Sequence, residues 1–583
     1  MLDEVPGAFP PWLDSNAVRY IHWLLWLAIV PAFYALNRLV AAFLPVTIEF
    51  DTAAMQRWAT LPPEVAPLHD ASSSLLGSSV SASDGGAGAA STLPRHTPPR
   101  TARSRQSQTS TSGQTTQTSQ IADDSDQARP PVQSYKENRT SVQDLVHVHS
   151  ARTWHRRRLE QFVQIATSSA LLLLVAPLAI VAFPLWVVLT LSRRRQYCHI
   201  RRPVVSESKM IDARNGLEFT LLTANLCLMP ECIARVNNLR DTWIRTPAIA
   251  AAIVSSQKQT TPHQQQQEDS AHIAEEFPHL DFVCIQEAFD RQACHTLASS
   301  LSEVFPHVLF DAGAYGWSSN KLLLNSGLLF ASRYEIIAAE FRRYTAATDV
   351  DVLASKGLLM VQVRLQPKIV GFVFSTHLQA VDRTPTHAVR QAQMSDIQSW
   401  CVEFRERLTL PNERVAFQVL AGDLNFDGLS HADAPDRQHP LLRDDYDDPC
   451  RTDSQIYPEP EHQGTNPASE KPWTVGTALL KQLLWHPFVA TPGGLARALR
   501  SVSSHVPGES ANPDRYYTEN AVSSDGSTHR GRRRIDYVLF HRATSTSPDF
   551  TTRVDSLQFV TRLARLTDHV PIAVRFRCVP SSS

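Results

Sequence analysis

The stretch VLAGDLNFD, residues 419–427, decides how the rest of the chain is read. Apolar and small residues run into a turn glycine. A carboxylate and a carboxamide, Asp423 and Asn425, then stand two apart before the sequence turns polar and proline-rich. In a β-strand, residues i and i+2 share a face. A buried strand that ends by aiming one anionic and one neutral oxygen at one point can build a hard-metal or phosphate site. A loop whose Asp and Asn cap a turn has the same composition, so partners elsewhere must separate the two.

Those partners recur at the ends of other apolar runs. Asn225 ends LLTAN, Glu287 ends FVCIQE, and His377 ends VFSTH. Asp536 sits in RRRIDYVLF, and Asp568 with His569 precede VPIAVRF. A single strand-end His is ordinarily structural; eight such polar residues in strand-end contexts point to side chains converging at one rim of a sheet. From 216 onward, short apolar runs alternate with amphipathic helical stretches at 232–253, 292–303 and 387–408. The runs are apolar throughout rather than alternating, as expected of sheets covered on both faces. The fold class expected is α/β: two packed sheets flanked by helices.

The chemistry this set supports is coherent. Glu287 and Asn225 offer oxygen ligands to Mg2+, which binds through one or two protein carboxylates plus substrate phosphate. His569 is placed to activate a water for in-line attack on phosphorus, with Asp536 orienting the ring. His377 is placed to donate to the phosphoryl group or leaving oxygen, Asp423 and Asn425 to orient water and bind phosphate, and Asp568 to support the metal side.

Composition frames this. With 583 residues and a net charge of -1, the chain has no global basic field to gather a polyanion. Eight cysteines without CxxC pairs suit a reducing compartment and argue against structural zinc. Two apolar segments precede the catalytic texture, residues 20–36 and 165–191. Arginines flank the second on both sides, RTWHRRR and RRRQYCHIRR, which fits a hairpin entering and leaving one leaflet better than a simple span. Arg193, Arg194, Arg195, Arg201 and Arg202 are then candidates for contact with anionic lipid, and Cys198 for S-palmitoylation. The domains expected are a membrane segment at 1–64, a disordered Ser/Thr/Gln-rich loop at 65–150, a juxtamembrane segment at 151–215 and a catalytic domain at 216–583. Disordered insertions are expected near 255–270, 431–471 and 501–530.

The order N, QE, STH, GDLN, RIDY, TDHVP resembles the deoxyribonuclease I-like metallophosphodiesterases, a four-layer sandwich of two sheets with helices outside. Within them, QEAFD, NSGLLFASRY and TDHVPI are similar to neutral sphingomyelinases. The two apolar segments and DVLASKG, residues 351–357, further resemble the membrane-associated neutral sphingomyelinases of animals. The resemblance implies Mg2+-dependent hydrolysis of sphingomyelin to ceramide and phosphocholine, with Mn2+ as a substitute ion, stimulated by anionic phospholipids such as phosphatidylserine. It also implies a cytosolic catalytic domain at the Golgi or inner plasma membrane, and a switch formed by Asp351 and Lys356. From the residues alone, that pair reads as an exposed ion pair five apart, stabilising by about 0–1 kcal/mol. The chain departs from the pattern in its longer linker and its lack of clustered juxtamembrane cysteines.

Rivals share the catalytic set. A nuclease needs a basic groove with interleaved aromatics that is not evident, so no nucleic-acid partner is expected. An inositol-polyphosphate 5-phosphatase would carry a Trp-Cys-Asp-Arg type signature where this chain has RRRIDY. A catalytically silent membrane scaffold would lack one of Glu287, Asp536 or His569, and all are present.

Overall fold

The computed structural model describes residues 15–43, 139–192, 196–203, 216–236, 239–258, 271–313, 324–380, 386–426, 433–449, 491–496, 534–545 and 549–580. The chain divides into two compact units, Gly77–Glu160 and the remainder. Of the smaller unit only 139–160 is described, as helix, so most of the loop expected at 65–150 lies outside the described residues.

Two β-sheets make the centre of the larger unit. The first has the order β1 (Cys198–Arg201), β5 (His307–Phe310), β6 (Leu329–Ser332), β4 (Phe282–Gln286), β2 (Leu217–Asn225), β14 (Ile572–Pro580), β13 (Phe550–Val560), β3 (Ala271–Ala274), and the second β11 (Tyr446–Asp447), β12 (Asp536–His541), β10 (Arg414–Asp423), β9 (Ile369–His377), β8 (Gly357–Gln366), β7 (Glu335–Arg343). The strands that matter for the site are β2 (Leu217–Asn225), β4 (Phe282–Gln286), β9 (Ile369–His377), β10 (Arg414–Asp423), β12 (Asp536–His541) and β14 (Ile572–Pro580). β2 and β4 run parallel, as do β9 and β10, while β10 and β12 are antiparallel. Both sheets are therefore mixed.

Burial on both faces explains the apolar runs. Leu217, Phe219 and Leu221 of β2 face the second sheet in one core, while Leu222 and Ala224 face helices in another. Phe417 of β10 stands between the sheets, its ring 5.1 Å from Phe219 and 5.2 Å from Phe576. Removing such a ring costs about 3–5 kcal/mol. The outer faces are covered by the helices Thr242–Lys258 and Arg291–Leu301 on one side and Thr386–Leu408 on the other. The result is a four-layer sandwich.

Several sequence expectations are refined. The helix predicted over 232–253 is two, Glu231–Val236 and Thr242–Lys258, with Asp241 at φ 56 between them. β1 (Cys198–Arg201) pairs with β5 (His307–Phe310), so the sandwich begins upstream of 216. The insertion predicted over 431–471 contains a short helix, Ala434–Arg437, and β11 (Tyr446–Asp447), which closes the second sheet's edge. The other predicted insertions lie mostly outside the described residues.

The apolar segments are helices Asn16–Phe43 and Arg139–Leu191, each containing a stretch long and apolar enough to cross a membrane by length and composition. The second runs unbroken through Pro177 and Pro184, so it does not turn back on itself as the flanking arginines had suggested. The hairpin is instead formed between the two helices. His22 bonds Thr190 at 2.9 Å, Trp26 stacks near Trp186 at 5.2 Å, and Gln161 donates to the Ala42 carbonyl at 2.7 Å. This order, low numbers against high, is antiparallel. The hairpin also rests on the sandwich: Tyr34 stacks on Trp243 at 4.7 Å, and Arg291 lies over Trp26 at 4.9 Å and Trp186 at 5.3 Å.

Candidate active site

Strand register brings the strand-end residues together. On β10, Asp423 pairs with His377 of β9 on one side and Asp536 of β12 on the other. Asn225 pairs with Gln286, one residue before Glu287. Gly422 makes the approach possible: its φ is +151°, and a Cβ there would lie 2.0 Å from the Thr376 carbonyl oxygen. Glu287 and Asn425 sit at φ 60 and 56, left-handed conformations that side chains rarely adopt and that cluster at functional sites.

Asp423 is the hub. Its Oδ2 accepts from Asn225 Nδ2 at 2.9 Å and lies 3.7 Å from His377 Nε2 and 3.9 Å from His569 Nε2. Its Oδ1 accepts from the Asn425 amide at 2.9 Å. The Asn425 side chain is pinned on the Leu378 carbonyl at 3.0 Å. His569 Nδ1 meets Asp536 Oδ2 at 2.7 Å, the arrangement of a ring held in one tautomer by a carboxylate. His377 Nε2 is 3.8 Å from Glu287 Oε1.

Electrostatics separates the two histidines. Burial works against charge on His569, yet the carboxylates of Asp536, Asp423 and Asp568 overcome it and raise its pKa to about 10. Burial, with Lys356 and His569 nearby, holds His377 well below the usual imidazole range. Burial and then the Asp568 charge push Glu287 up. Burial and then Asp536 push Asp423 up to about 7.

A site this anionic fits a hard cation. Glu287, His377 and Asp423 form one group able to hold a metal ion, and Asp423, Asp536 and His569 another. Asp536 Oδ1 is buried and has no hydrogen-bond partner among the described residues. Asn225 Oδ1 accepts from the Cys227 amide at 3.1 Å, and its Nδ2 donates to Asp423 Oδ2.

The remaining candidates are placed as follows. Asp351 and Lys356 pair at 2.9 Å but are 7% and 4% exposed, so the exposed pair expected from sequence is a buried one. Lys356 Nζ also donates to the Leu378 carbonyl at 2.8 Å. Cys198 is buried at 8% exposure in β1, so acylation there requires that edge to open. Arg201 and Arg202 are exposed, while Arg193, Arg194 and Arg195 lie outside the described residues.

One residue escaped the sequence. Arg390 is fully buried and donates Nη1 to the Asn425 carbonyl at 3.0 Å and Nε to Asp436 Oδ2 at 2.9 Å. His387 Nδ1 meets the same Asp436 oxygen at 2.7 Å. The signal was a His-x-x-Arg spacing on the inner face of a helix, with Asp433 and Asp436 three apart in a stretch set aside as loop.

Two mixed sheets face to face, helices outside, and an acidic–histidine centre at the strand ends define the class: a deoxyribonuclease I-like sandwich. No protein-family model matches the chain. It is 33% identical to Sphingomyelin phosphodiesterase 5 of Mus musculus over 446 residues, covering 73% of this chain and 86% of the relative. The chain belongs to the sphingomyelin phosphodiesterase family. It is 36% identical to Sphingomyelin phosphodiesterase 3 of Mus musculus over 320 residues, 51% of this chain but 45% of that protein, and so spans about half the length of that relative. Among solved structures, it aligns with a beta toxin mutant from Staphylococcus aureus with bound magnesium ions at TM-score 0.34 and 15% identity, covering 63% of this chain and 100% of that one.

Proposed function

We propose that the chain hydrolyses sphingomyelin to ceramide and phosphocholine at a membrane surface. The observation that carries it is the His569–Asp536 pair at 2.7 Å beside the Asp423 hub, in a chain 33% identical to Sphingomyelin phosphodiesterase 5 over most of both lengths. Glu287 and Asn225 would hold Mg2+, which when bound would neutralise charge at the phosphoryl oxygens. A cation beside Asp423 would offset the carboxylates that raise His569, and His569 in its neutral form would then take the proton of the attacking water at Nε2, with Asp536 fixing the ring by accepting from Nδ1. Asp423 and the pinned Asn425 orient the water and the phosphate. Asp568, whose charge is felt at Glu287, supports the metal side by adding negative charge that a bound cation would offset.

His377 stays neutral and serves as the donor to the phosphoryl or leaving oxygen. In the arrangement seen, its Nε2 accepts from Lys356 at 3.1 Å and is not free to donate. Withdrawal of Lys356 frees that nitrogen, which gives the Asp351–Lys356 pair a physical basis as a switch that anionic phospholipid biases. The two apolar helices and the exposed Arg201 and Arg202 support membrane attachment. A catalytic domain in the cytosol, at the Golgi or inner plasma membrane, is what the resemblance implies, and the seven described cysteines, none in a disulfide among the described residues, suit a reducing compartment.

The test is release of phosphocholine from sphingomyelin in mixed micelles by the full chain, with Mg2+ and with chelator. Mg2+-dependent release is expected. Turnover of DNA or a phosphoinositide with none of sphingomyelin overturns the assignment.

A further inference from the structure

Between β7 (Glu335–Arg343) and β8 (Gly357–Gln366) the chain forms a five-residue 3-10 turn, Asp349–Leu353. Its residues divide sharply. Asp351 points inward, 7% exposed, and its Oδ2 accepts from Lys356 Nζ at 2.9 Å and from the Ala380 amide at 2.7 Å. Val350, Val352 and Leu353 point outward at 65%, 46% and 47% exposure. With three residues per turn, Val350 and Leu353 lie on one edge of such a helix, with Val352 beside them. The tip is held firmly, since the buried Gln379 accepts from the Thr348 amide at 3.0 Å and donates to the Thr348 carbonyl at 3.2 Å. Scattered exposed aliphatics are ordinary. Three within four residues, on a turn anchored from beneath, are not scattered.

We propose that Val350, Val352 and Leu353 form a tip that enters the lipid surface and sets the active-site mouth against it. Two observations select lipid as the occupant. The first is continuity with the apolar hairpin. Trp26 and Trp186 of the hairpin hold Arg291, which lies 3.8 Å from Asp311. Asn325 donates to Asp311 at 3.1 Å, and its own carbonyl accepts from the Ser355 amide at 3.0 Å, two residues beyond the tip. A short run of contacts thus joins the hairpin to the tip, so a bilayer that takes up the first lies close to the second. The second is size. Three side chains offer far less than the roughly 800 Å² per partner that a stable protein interface buries, whereas shallow entry of a few aliphatic groups adds to membrane binding with every buried methylene. The inference rests on the reading of the chain as a membrane enzyme. It adds the surface by which the mouth meets its substrate, and it ties Asp351, the tip's one inward residue, to that contact.

The test uses the full chain with Mg2+. Val350→Cys carries an environment-sensitive fluorophore, and Leu410→Cys, 56% exposed in the loop that leads into β10 at the opposite end from Asp423, carries the same label. The identically treated unmutated chain is the blank. On vesicles of phosphatidylcholine, sphingomyelin and phosphatidylserine doped with nitroxide lipid, the label at 350 loses most of its emission and that at 410 does not. The double variant Val350→Glu, Leu353→Glu turns over vesicle sphingomyelin slower on the order of tenfold, from the cost of charge in the apolar layer, while turnover of detergent-dispersed sphingomyelin is unchanged. An unquenched label at 350 on vesicles that bind the protein overturns the tip, whatever the substrate. Equal quenching at 410 overturns it as well. Quenching at 350 alone, with no sphingomyelin turnover in either form, upholds the tip and refutes the activity.

Discussion

Lys356 Nζ lies 3.1 Å from His377 Nε2, in a pocket where both side chains are buried. The ammonium is anchored by Asp351 on the other side at 2.9 Å. Replacing Lys356 with Met leaves Asp351 buried with the Ala380 amide as its remaining donor in that pocket. Removing one partner of a buried pair costs about 3–5 kcal/mol, so denaturant melts of Lys356→Met shift by that order, and Asp351→Asn added to it recovers part of the loss. With no ammonium on His377 Nε2, the rate per folded molecule without anionic lipid rises toward the stimulated rate, and the ratio of rates with and without anionic lipid falls toward unity. A variant that keeps full lipid stimulation removes the pair from regulation.

Asp536→Asn tests the ring-holding contact directly. An amide at the 2.7 Å position facing His569 Nδ1 favours the opposite tautomer. The expected loss in kcat is about 10²–10⁴-fold, with KM little changed and the far-ultraviolet spectrum preserved. His569→Ala should lose as much, and the double variant no more than either alone, because the two residues act as a unit.

Protons and metal compete for the same centre. In the metal-stripped protein, Asp423 is raised from 3.8 to about 7 and His569 from 6.5 to about 10. Both groups hold protons more tightly in the folded state. Their contribution to stability is therefore full at low pH, declines as pH rises through 3.8 to about 7 for Asp423, and declines again from 6.5 to about 10 for His569. Melting temperatures of chelated protein should fall across that window. Because ligand carboxylates must be deprotonated, added Mg2+ should raise the melting temperature more at about pH 8 than at about pH 5. A stabilisation independent of pH counts against Glu287 and Asp423 as the cation's neighbours.

The candidate set was legible because its residues sit at the ends of apolar, largely buried strands, where the sequence pattern is strongest. Asp423, His377 and Asp536 are side by side in register for that reason. What failed had weaker local signals. β7 and β13 (Phe550–Val560) are half-exposed and carry charges, so no apolar run announced them. The burial of Asp351 and Lys356 depends on chain far away in sequence, Leu378 and Ala380, which spacing alone does not reveal. Arginines at both ends of the second apolar segment suggest a hairpin within it, yet the helix runs unbroken through Pro177 and Pro184.

Arg390 tests whether the backbone beneath the site matters to catalysis or only to folding. Its guanidinium joins the Asn425 carbonyl to Asp436, and Asn425 is one of the left-handed residues of the site. Arg390→Met leaves the buried Asp436 with His387 but without its guanidinium partner and should cost about 3–5 kcal/mol. Arg390→Lys keeps the charge but not the planar fork that spans both acceptors, so it should recover much of the stability while letting Asn425 shift. Misplacement by about 1 Å at a reacting centre can cost about 10²-fold. The expected signature is a lowered kcat per folded molecule with KM for sphingomyelin unchanged, measured where the Lys variant is fully folded. A Lys variant with full kcat would make Arg390 a prop for the Ala434–Arg437 helix alone.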